Sequence, residues 1–424
     1  MNQNEKDQLV NSVKNIADTV VELAETVELV SVLVTSTLAK VNAIAVDVVA
    51  PPPVVTPPVV VPPPVVVPPV TVPPVTTGFA LGTQCWFVDP AWTGEKLFSA
   101  PGVLSAQWLS DARTTGCKWF RMMDAHAINN SKQSAWATRR LPTDTNQTAY
   151  GAPDGNGDPG IAVEYQVAIV NALKCGGWFN VPHLATDDYC IQMAQLLART
   201  VDASLPLIVE YSNECWNGQF SQFSYVNKTG LAAGLGGGNA YRAGMAYAMK
   251  RTLEIGAIFK RAIPRCQVVY SFSGNFDLAA QAFKTVYKGT GIDLIAVAPY
   301  VGTNGNNGAN FSLAAWKTAV DNLATGGGDS IASARRIADA NGIKTLGFYE
   351  FGSTYYQNAN QFTAHPDAQA AYEYMLAKFS AVANGPACHY TLHSTDTAGS
   401  SWGGFNNGVL NAKGRALAAF AKVG

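Results

Sequence analysis

The chain has 424 residues, of which 48% are hydrophobic and 14% charged, with 29 Lys+Arg against 30 Asp+Glu. That length exceeds one small domain, and the near-zero charge balance gives no electrostatic footprint for nucleic acid or an acidic membrane surface. Seven cysteines (85, 117, 175, 190, 215, 266, 388) stand singly without a C-x-x-C pair, which argues against a zinc site or disulfide framework and for small buried hydrophobes.

The N-terminus, Met1 to Asp7, is polar and lacks the basic start and apolar run of a Sec-type signal peptide. The longest uncharged stretch of the first 45 residues, Leu29 to Ala39, is far below the ~20 residues of a spanning helix, so no membrane span is expected. Residues 9–48 hold a heptad with Val13, Val20, Val27, Val34, Val41 and Val48 at a, and Leu9, Ile16, Leu23, Val30, Thr37 and Ile44 at d. This pattern predicts a helical coiled coil, an oligomerisation stem over residues 1–50. Valine at every a position leaves dimer and trimer open, with the small e and g residues favouring a trimer. From Pro51 to Val75 there are twelve prolines in 25 residues, with only Val and Thr between them. Proline lacks the N–H donor and fixes φ, so residues 51–77 read as an extended polyproline linker of ~3.1 Å per residue.

Residues 78–424 alternate short apolar runs with helical stretches. The runs are Phe79 to Val88, Cys117 to Met123, Gly176 to Pro182, Pro206 to Ser212, Cys266 to Phe272, Ile292 to Pro299, Lys344 to Glu350 and Cys388 to His393. Between and after them lie helical patterns over Leu104 to Thr115, Val163 to Leu173, Asp187 to Thr200, Ala240 to Ala262, Leu278 to Tyr287, Leu313 to Leu323, Ser330 to Ala340 and Pro366 to Val382. Eight strands interleaved with helices predict an α/β fold, a (β/α)8 TIM barrel. A doubly wound sheet is the alternative, but it wants a Gly-rich phosphate loop directly after a strand. The cluster Gly230 to Gly238 precedes a long helical stretch instead and reads as a flexible loop.

In such a barrel the chemistry sits at the C-terminal ends of the strands. Of seven glutamates in this region, Glu95, Glu164, Glu254 and Glu373 fall in loops or helices, leaving Glu210 and Glu214 at the fourth run and Glu350 at the tip of the seventh. Glu214 stands in Tyr211-Ser212-Asn213-Glu214-Cys215-Trp216-Asn217, and Glu350 in Gly347-Phe348-Tyr349-Glu350-Phe351-Gly352. These strands face each other nearly across the barrel mouth. Two carboxyls on opposite sides of a cleft, one protonated and one ionised, are what glycosidic-bond hydrolysis needs. Each alone would read as a solvated strand-end charge.

On these residues the region resembles the (β/α)8 glycoside hydrolases of clan A. The resemblance covers most of residues 78–424 but neither stem nor linker. It implies Glu214, after Asn213, as acid/base and Glu350 as nucleophile of a retaining enzyme that acts on an oligo- or polysaccharide. Arg121, His183, Tyr300 and Trp402 match the family's usual Arg, His, Tyr and Trp positions at strands two, three, six and eight. With Asn213 and Trp216 they form the candidate substrate-binding set: Asn213 toward the sugar 2-hydroxyl, Arg121 and Tyr300 holding Glu350 ionised, and Trp402 offering an apolar face to the ring. Arg121 has a second reading as a buried partner of Glu210, and His183 as a satisfied strand-end histidine. Two departures stand out: Ala298 occupies the place two residues before Tyr300 where the family has His, and Trp402 lies nine residues beyond the expected strand end at His393.

Neither cofactor nor metal is implied. Gly399 to Gly403 matches G-x-S-x-G, but no His or Asp follows it to complete a triad. His389 and His393 lack a third ligand, and Asp154 to Asp158 begins like a calcium loop without its final Glu. A non-catalytic glycan-binding adhesin and a structural fibre protein remain competing readings of the same cleft. Stem, stalk and head, without a signal peptide, fit an extracellular or virion-associated appendage, such as a phage protein that degrades envelope polysaccharide.

Overall fold

The computed structural model describes residues 78–85, 96–145, 147 and 160–422. The expected stem, the linker and the acidic loop at 154–158 lie outside the described residues. Eight parallel strands form the predicted barrel: β1 (Ala80–Thr83), β2 (Trp119–Arg121), β3 (Gly176–Val181), β4 (Leu207–Tyr211), β5 (Cys266–Ser271), β6 (Leu294–Val297), β7 (Thr345–Ser353) and β8 (Pro386–His389). Each pairs with its successor, and β8 closes the ring onto β1 with Ala80 beside Pro386. Strands covered on both faces need no polar alternation, and β3, Gly-Gly-Trp-Phe-Asn-Val, is buried throughout.

The helices are α1 (Ala106–Thr114), α2 (Val163–Leu173), α3 (Asp187–Thr200), α4 (Ser221–Ala232), α5 (Ala240–Ala262), α6 (Phe276–Thr285), α7 (Leu313–Thr325), α8 (Ile331–Ala340), α9 (Ala359–Ala364), α10 (Ala368–Ser380) and α11 (Ala412–Ala421). Local chemistry sets their ends. The Thr186 side chain accepts from the Tyr189 N–H, Asp187 and Asp188 face the positive N-terminal end of α3, and Arg199 sits in its last turn. Asn239 caps α5 in the same way through the Arg242 N–H.

The core has two parts. Inside the barrel, Trp119, Trp178, Ile208, Val269, Leu294, Ala296, Tyr349 and Cys388 fill the lumen. The Trp119 ring has room because β3 begins with glycine there: a Cβ on Gly176 would stand 2.4 Å from the indole. Outside, a larger shell that includes Phe120, Phe179, Tyr270 and Phe348 packs strands against helices. Each fully buried large side chain contributes roughly 1.5–3 kcal/mol by leaving water. All seven cysteines are unpaired and six are buried.

Three expectations need correction. β8 ends at His389, not His393, which belongs to a small sheet of His393–Ser394, Phe405–Asn406 and Val409–Leu410. Trp402 therefore sits on the loop inside that sheet. Gly230 to Gly238 is not one loop: Gly230 lies within α4, where a Cβ would run into the Ala243 backbone, so its absence lets α4 and α5 cross closely. The helices α4, α9 and α11 are additions to the predicted set. Among the described residues no helix is long and apolar enough to cross a membrane.

Candidate active site

At the C-terminal end of the barrel, strand alternation turns Arg121, Asn180 and Glu210 inward, two residues beyond the lumen residues Trp119, Trp178 and Ile208. Arg121 ends β2 and is fully buried. Its Nε and Nη2 donate to the two carboxylate oxygens of Glu210 (2.9 and 3.0 Å), a bidentate pair. Glu210 also accepts from the Trp178 indole and from Asn180 Nδ2, both at 2.7 Å. The guanidinium lies 5.0 Å from the Tyr349 ring centroid. Burial opposes the Arg121 charge, but Glu210 and Glu350 more than offset that, so it stays cationic. Its remaining donors reach upward, from Nη1 to Glu350 (2.8 Å) and from Nη2 to Asn213 Oδ1 (2.8 Å). One guanidinium thus bridges Glu210 and Glu350.

The chain leaves β4 through a strained turn. Ser212 (φ 58°) and Glu214 (φ 41°) both occupy the left-handed region, which costs non-glycine residues on the order of 1–3 kcal/mol each. Neighbours hold it there. Asn213 Nδ2 donates to Asn129 Oδ1 (2.9 Å), and Gln222 at the start of α4 donates to Asn129 Oδ1 and the Asn213 carbonyl (2.8 and 2.9 Å). Glu214 is thereby aimed at the mouth, where it accepts from Asn217 Nδ2 (2.8 Å) and the Tyr349 hydroxyl (3.1 Å). Trp216 Nε1 donates to that hydroxyl at 3.2 Å.

Glu350 comes from β7, whose register against β8 slips between Phe348 and Phe351. Such a bulge re-aims side chains, and here Tyr349 and Glu350 both serve the mouth although they are consecutive. Beyond β6 the chain rejoins the sheet at Tyr300–Val301, with Tyr300 beside Gly352. The Tyr300 hydroxyl donates to Glu350 Oε2 at 2.8 Å, opposite the Arg121 contact to Oε1. Trp402 meets Tyr300, Tyr390 and Tyr356 edge to face, at centroid distances of 6.0, 5.8 and 5.7 Å, forming an aromatic wall on the Glu350 side.

The two carboxyls are tuned apart. Burial and then the Glu350 charge push Glu214 up to about 7, against the pull of Asn217, Tyr349 and Arg121. Burial also raises Glu350, but it is opposed by Arg121 in direct contact and by the Tyr300 hydroxyl. Glu350 is the partner with a cation against it, so it ionises first and its charge keeps Glu214 protonated. Tyr300 and Tyr349 stay protonated because burial and the carboxylates raise both well above the usual tyrosine range.

Of the residues singled out in the sequence, Glu214, Glu350, Arg121, Asn213, Tyr300, Trp216 and Trp402 are joined by hydrogen bonds and ring contacts at the barrel mouth. Both ends of the Asn213 amide are engaged within the protein, so in this resting state it fixes the turn. His183 packs edge-on to Tyr225 at 5.3 Å, with Nδ1 buried and without a hydrogen-bond partner among the described residues. Burial lowers it to about 4, so it is neutral. Tyr349, Asn217, Asn129 and Gln222 were not anticipated. Tyr349 carries a signal in hindsight, as an aromatic hydroxyl next to a strand-end carboxyl, whereas Asn129 and Gln222 depend on loops that only folding brings together. The other motifs settle as structure: His393 pairs with Asp111 (2.8 Å), His389 bonds the Thr391 carbonyl, and Ser401 contacts Asp396 and Lys413. No cluster of metal-binding side chains occurs among the described residues.

No family model matches the chain, and comparison with curated proteins finds no match. Solved structures share its fold. An arabinofuranosidase superposes with a TM-score of 0.51 at 11% identity, covering 81% of this chain and 69% of its own. The family 51 alpha-L-arabinofuranosidase AbfB of Bifidobacterium longum gives 0.50 at 10% identity, covering 82% and 72%. The chain is thus built on the same eight-stranded barrel as these proteins.

Proposed function

We propose that residues 78–424 are a retaining O-glycosyl hydrolase of oligo- or polysaccharides, with Glu350 as nucleophile and Glu214 as acid/base. The observation that carries this reading is the opposed environment of two carboxyls in one cleft, one against a buried arginine and one raised to about 7. In the first step a Glu350 oxygen bonds to the anomeric carbon. The bond from that carbon to the leaving oxygen breaks as Glu214 delivers its proton there. In the second, Glu214 takes a proton from water, whose oxygen displaces Glu350 from the sugar. Two inversions retain configuration, which requires carboxyls about 5–5.5 Å apart. Arg121 and Tyr300, bound to the two Glu350 oxygens, hold the nucleophile in place and accept its return as a leaving group.

The barrel shared with arabinofuranosidases supports the fold of this reading and makes arabinofuranosides one class to include in a screen. The proposal extends to the whole chain: residues 1–50 as a dimeric or trimeric stem, 51–77 as a stalk, and an extracellular or virion-associated place of action. The test is reducing-end release from a panel of aryl glycosides and polysaccharides, with the first-formed anomer read by NMR. Retention of configuration is expected. An inverted first product removes the nucleophile role, and intact substrates throughout, with a folded protein, remove the hydrolase reading.

A further inference from the structure

Immediately past Glu214 the surface opens into a second depression, a cleft of about 530 Å3 between the β4 turn, α4, α5 and the loop after β5. Its size falls within the roughly 300–1,000 Å3 of small-molecule sites. Trp216 forms the wall shared with the carboxyls: its Nε1 donates to the Tyr349 hydroxyl that serves Glu214, while its six-membered ring lies against Gly274. Gly274 has φ 71°, and a Cβ there would stand 2.5 Å from the indole, so the turn after β5 is shaped around this ring. Tyr241 is 57% exposed and tilts against Phe223 at 5.6 Å, an aromatic face held open to solvent.

The polar lining has one sign. Arg242 is exposed, and among the described residues it has no carboxylate partner and no Asp or Glu lines the cleft. Asn239 and Asn275 also line it. Their Oδ1 atoms cap α5 and α6 by accepting from the Arg242 and Leu278 N–H groups, which leaves the amide NH2 groups as donors. A cleft offering aromatic faces, amide donors and one uncompensated guanidinium suits a sugar bearing a carboxylate.

We propose that this cleft binds a hexuronic acid residue on the leaving-group side of the scissile bond, with Arg242 pairing its carboxylate and Tyr241 and Trp216 facing its ring. The inference rests on the glycosidase reading for its orientation. An acid that protonates the leaving oxygen must touch it, so a chain continuing beyond that oxygen passes Glu214 and runs over Trp216, away from the Glu350, Tyr300 and Trp402 side. The substrate class is then an acidic polysaccharide rather than a neutral one.

The test is calorimetric or fluorescence titration of the full-length protein with trigalacturonate and cellobiouronic acid, against methyl-esterified trigalacturonate and cellobiose. The acidic probes are expected to bind about tenfold more tightly than their neutral counterparts at low salt, the range of one charge-assisted contact. Arg242→Gln should remove that difference, Arg242→Lys should keep part of it, and Tyr241→Ala should weaken acidic and neutral probes alike. Arg242 is on the surface, so unchanged melting temperatures are expected to accompany these effects. Equal binding of acidic and neutral probes, or acidic preference that survives Arg242→Gln, overturns the proposal. Arg242-dependent binding without cleavage of any glycan would keep the cleft and remove the hydrolase. Cleavage confined to neutral glycans, with no acidic preference in binding, would do the reverse.

Discussion

Glu214 and Glu350 differ chiefly in what opposes their burial, and that difference sets the expected pH behaviour. Glu214 must carry a proton to assist the leaving oxygen, and its pKa is raised to about 7. Above that value the protonated fraction falls tenfold per pH unit, so kcat/KM for substrates with poor leaving groups should decline on the alkaline side of about pH 7. The limb should vanish in Glu214→Gln, which should lose about 10²–10⁴-fold on such substrates and far less on activated aryl glycosides. A pH profile of that variant with its alkaline limb intact would assign the limb elsewhere. Glu350→Gln removes the nucleophilic charge while keeping shape, so turnover should drop by about 10⁴-fold or more on every substrate with glycan binding still measurable. Steady-state rates of Glu350→Gln near wild type on any cleaved substrate would reassign the nucleophile.

At the scale of elements, the site depends on places where regular structure is interrupted. The left-handed turn after β4 aims Glu214, the slip in β7 aims Glu350, and the glycine turn after β5 seats Trp216. Gly274→Ala should therefore act at a distance. The new Cβ meets the indole and strains a positive φ, so we expect about 1 kcal/mol or more of destabilisation by thermal unfolding. The displaced Trp216 should also shift the alkaline limb through Tyr349. A melting loss with an unmoved pH profile would show that the indole does not tune Glu214. These interruptions also mark the limit of what the sequence made legible. Apolar runs and helical periodicity located all eight strands, and strand-end position singled out both carboxyls, because those follow from local pattern. The end of β8 was misplaced because the apolar run continues through Leu392, which packs in the core beyond the last barrel pairing. The α4–α5 crossing was missed because glycine in a sequence signals freedom, while here Gly230 serves close approach. Trp402 reaches the cleft from a loop of a small accessory sheet, a placement no strand-based count could supply.

For the whole molecule, the question is which properties belong to the head alone. Among the described residues, those that bind Glu214, Glu350 and Arg121 fall between Gln84 and Glu350, and the aromatic wall ends at Trp402. Hydrolysis of a short soluble glycoside should thus be independent of residues 1–50. Those residues carry a Val and Leu/Ile seam in heptad phase, the pattern on which the proposed oligomeric stem rests. Deleting 1–50 should convert an oligomer into a monomer by light scattering at micromolar concentration while leaving the short-substrate rate per head unchanged. Binding to a polymeric or particulate glycan should weaken about 10²-fold or more, because linked heads raise the effective concentration of the second binding event. A full-length protein that scatters as a monomer would overturn the stem assignment. Loss of the short-substrate rate on deletion would mean that stem and head form a single functional unit.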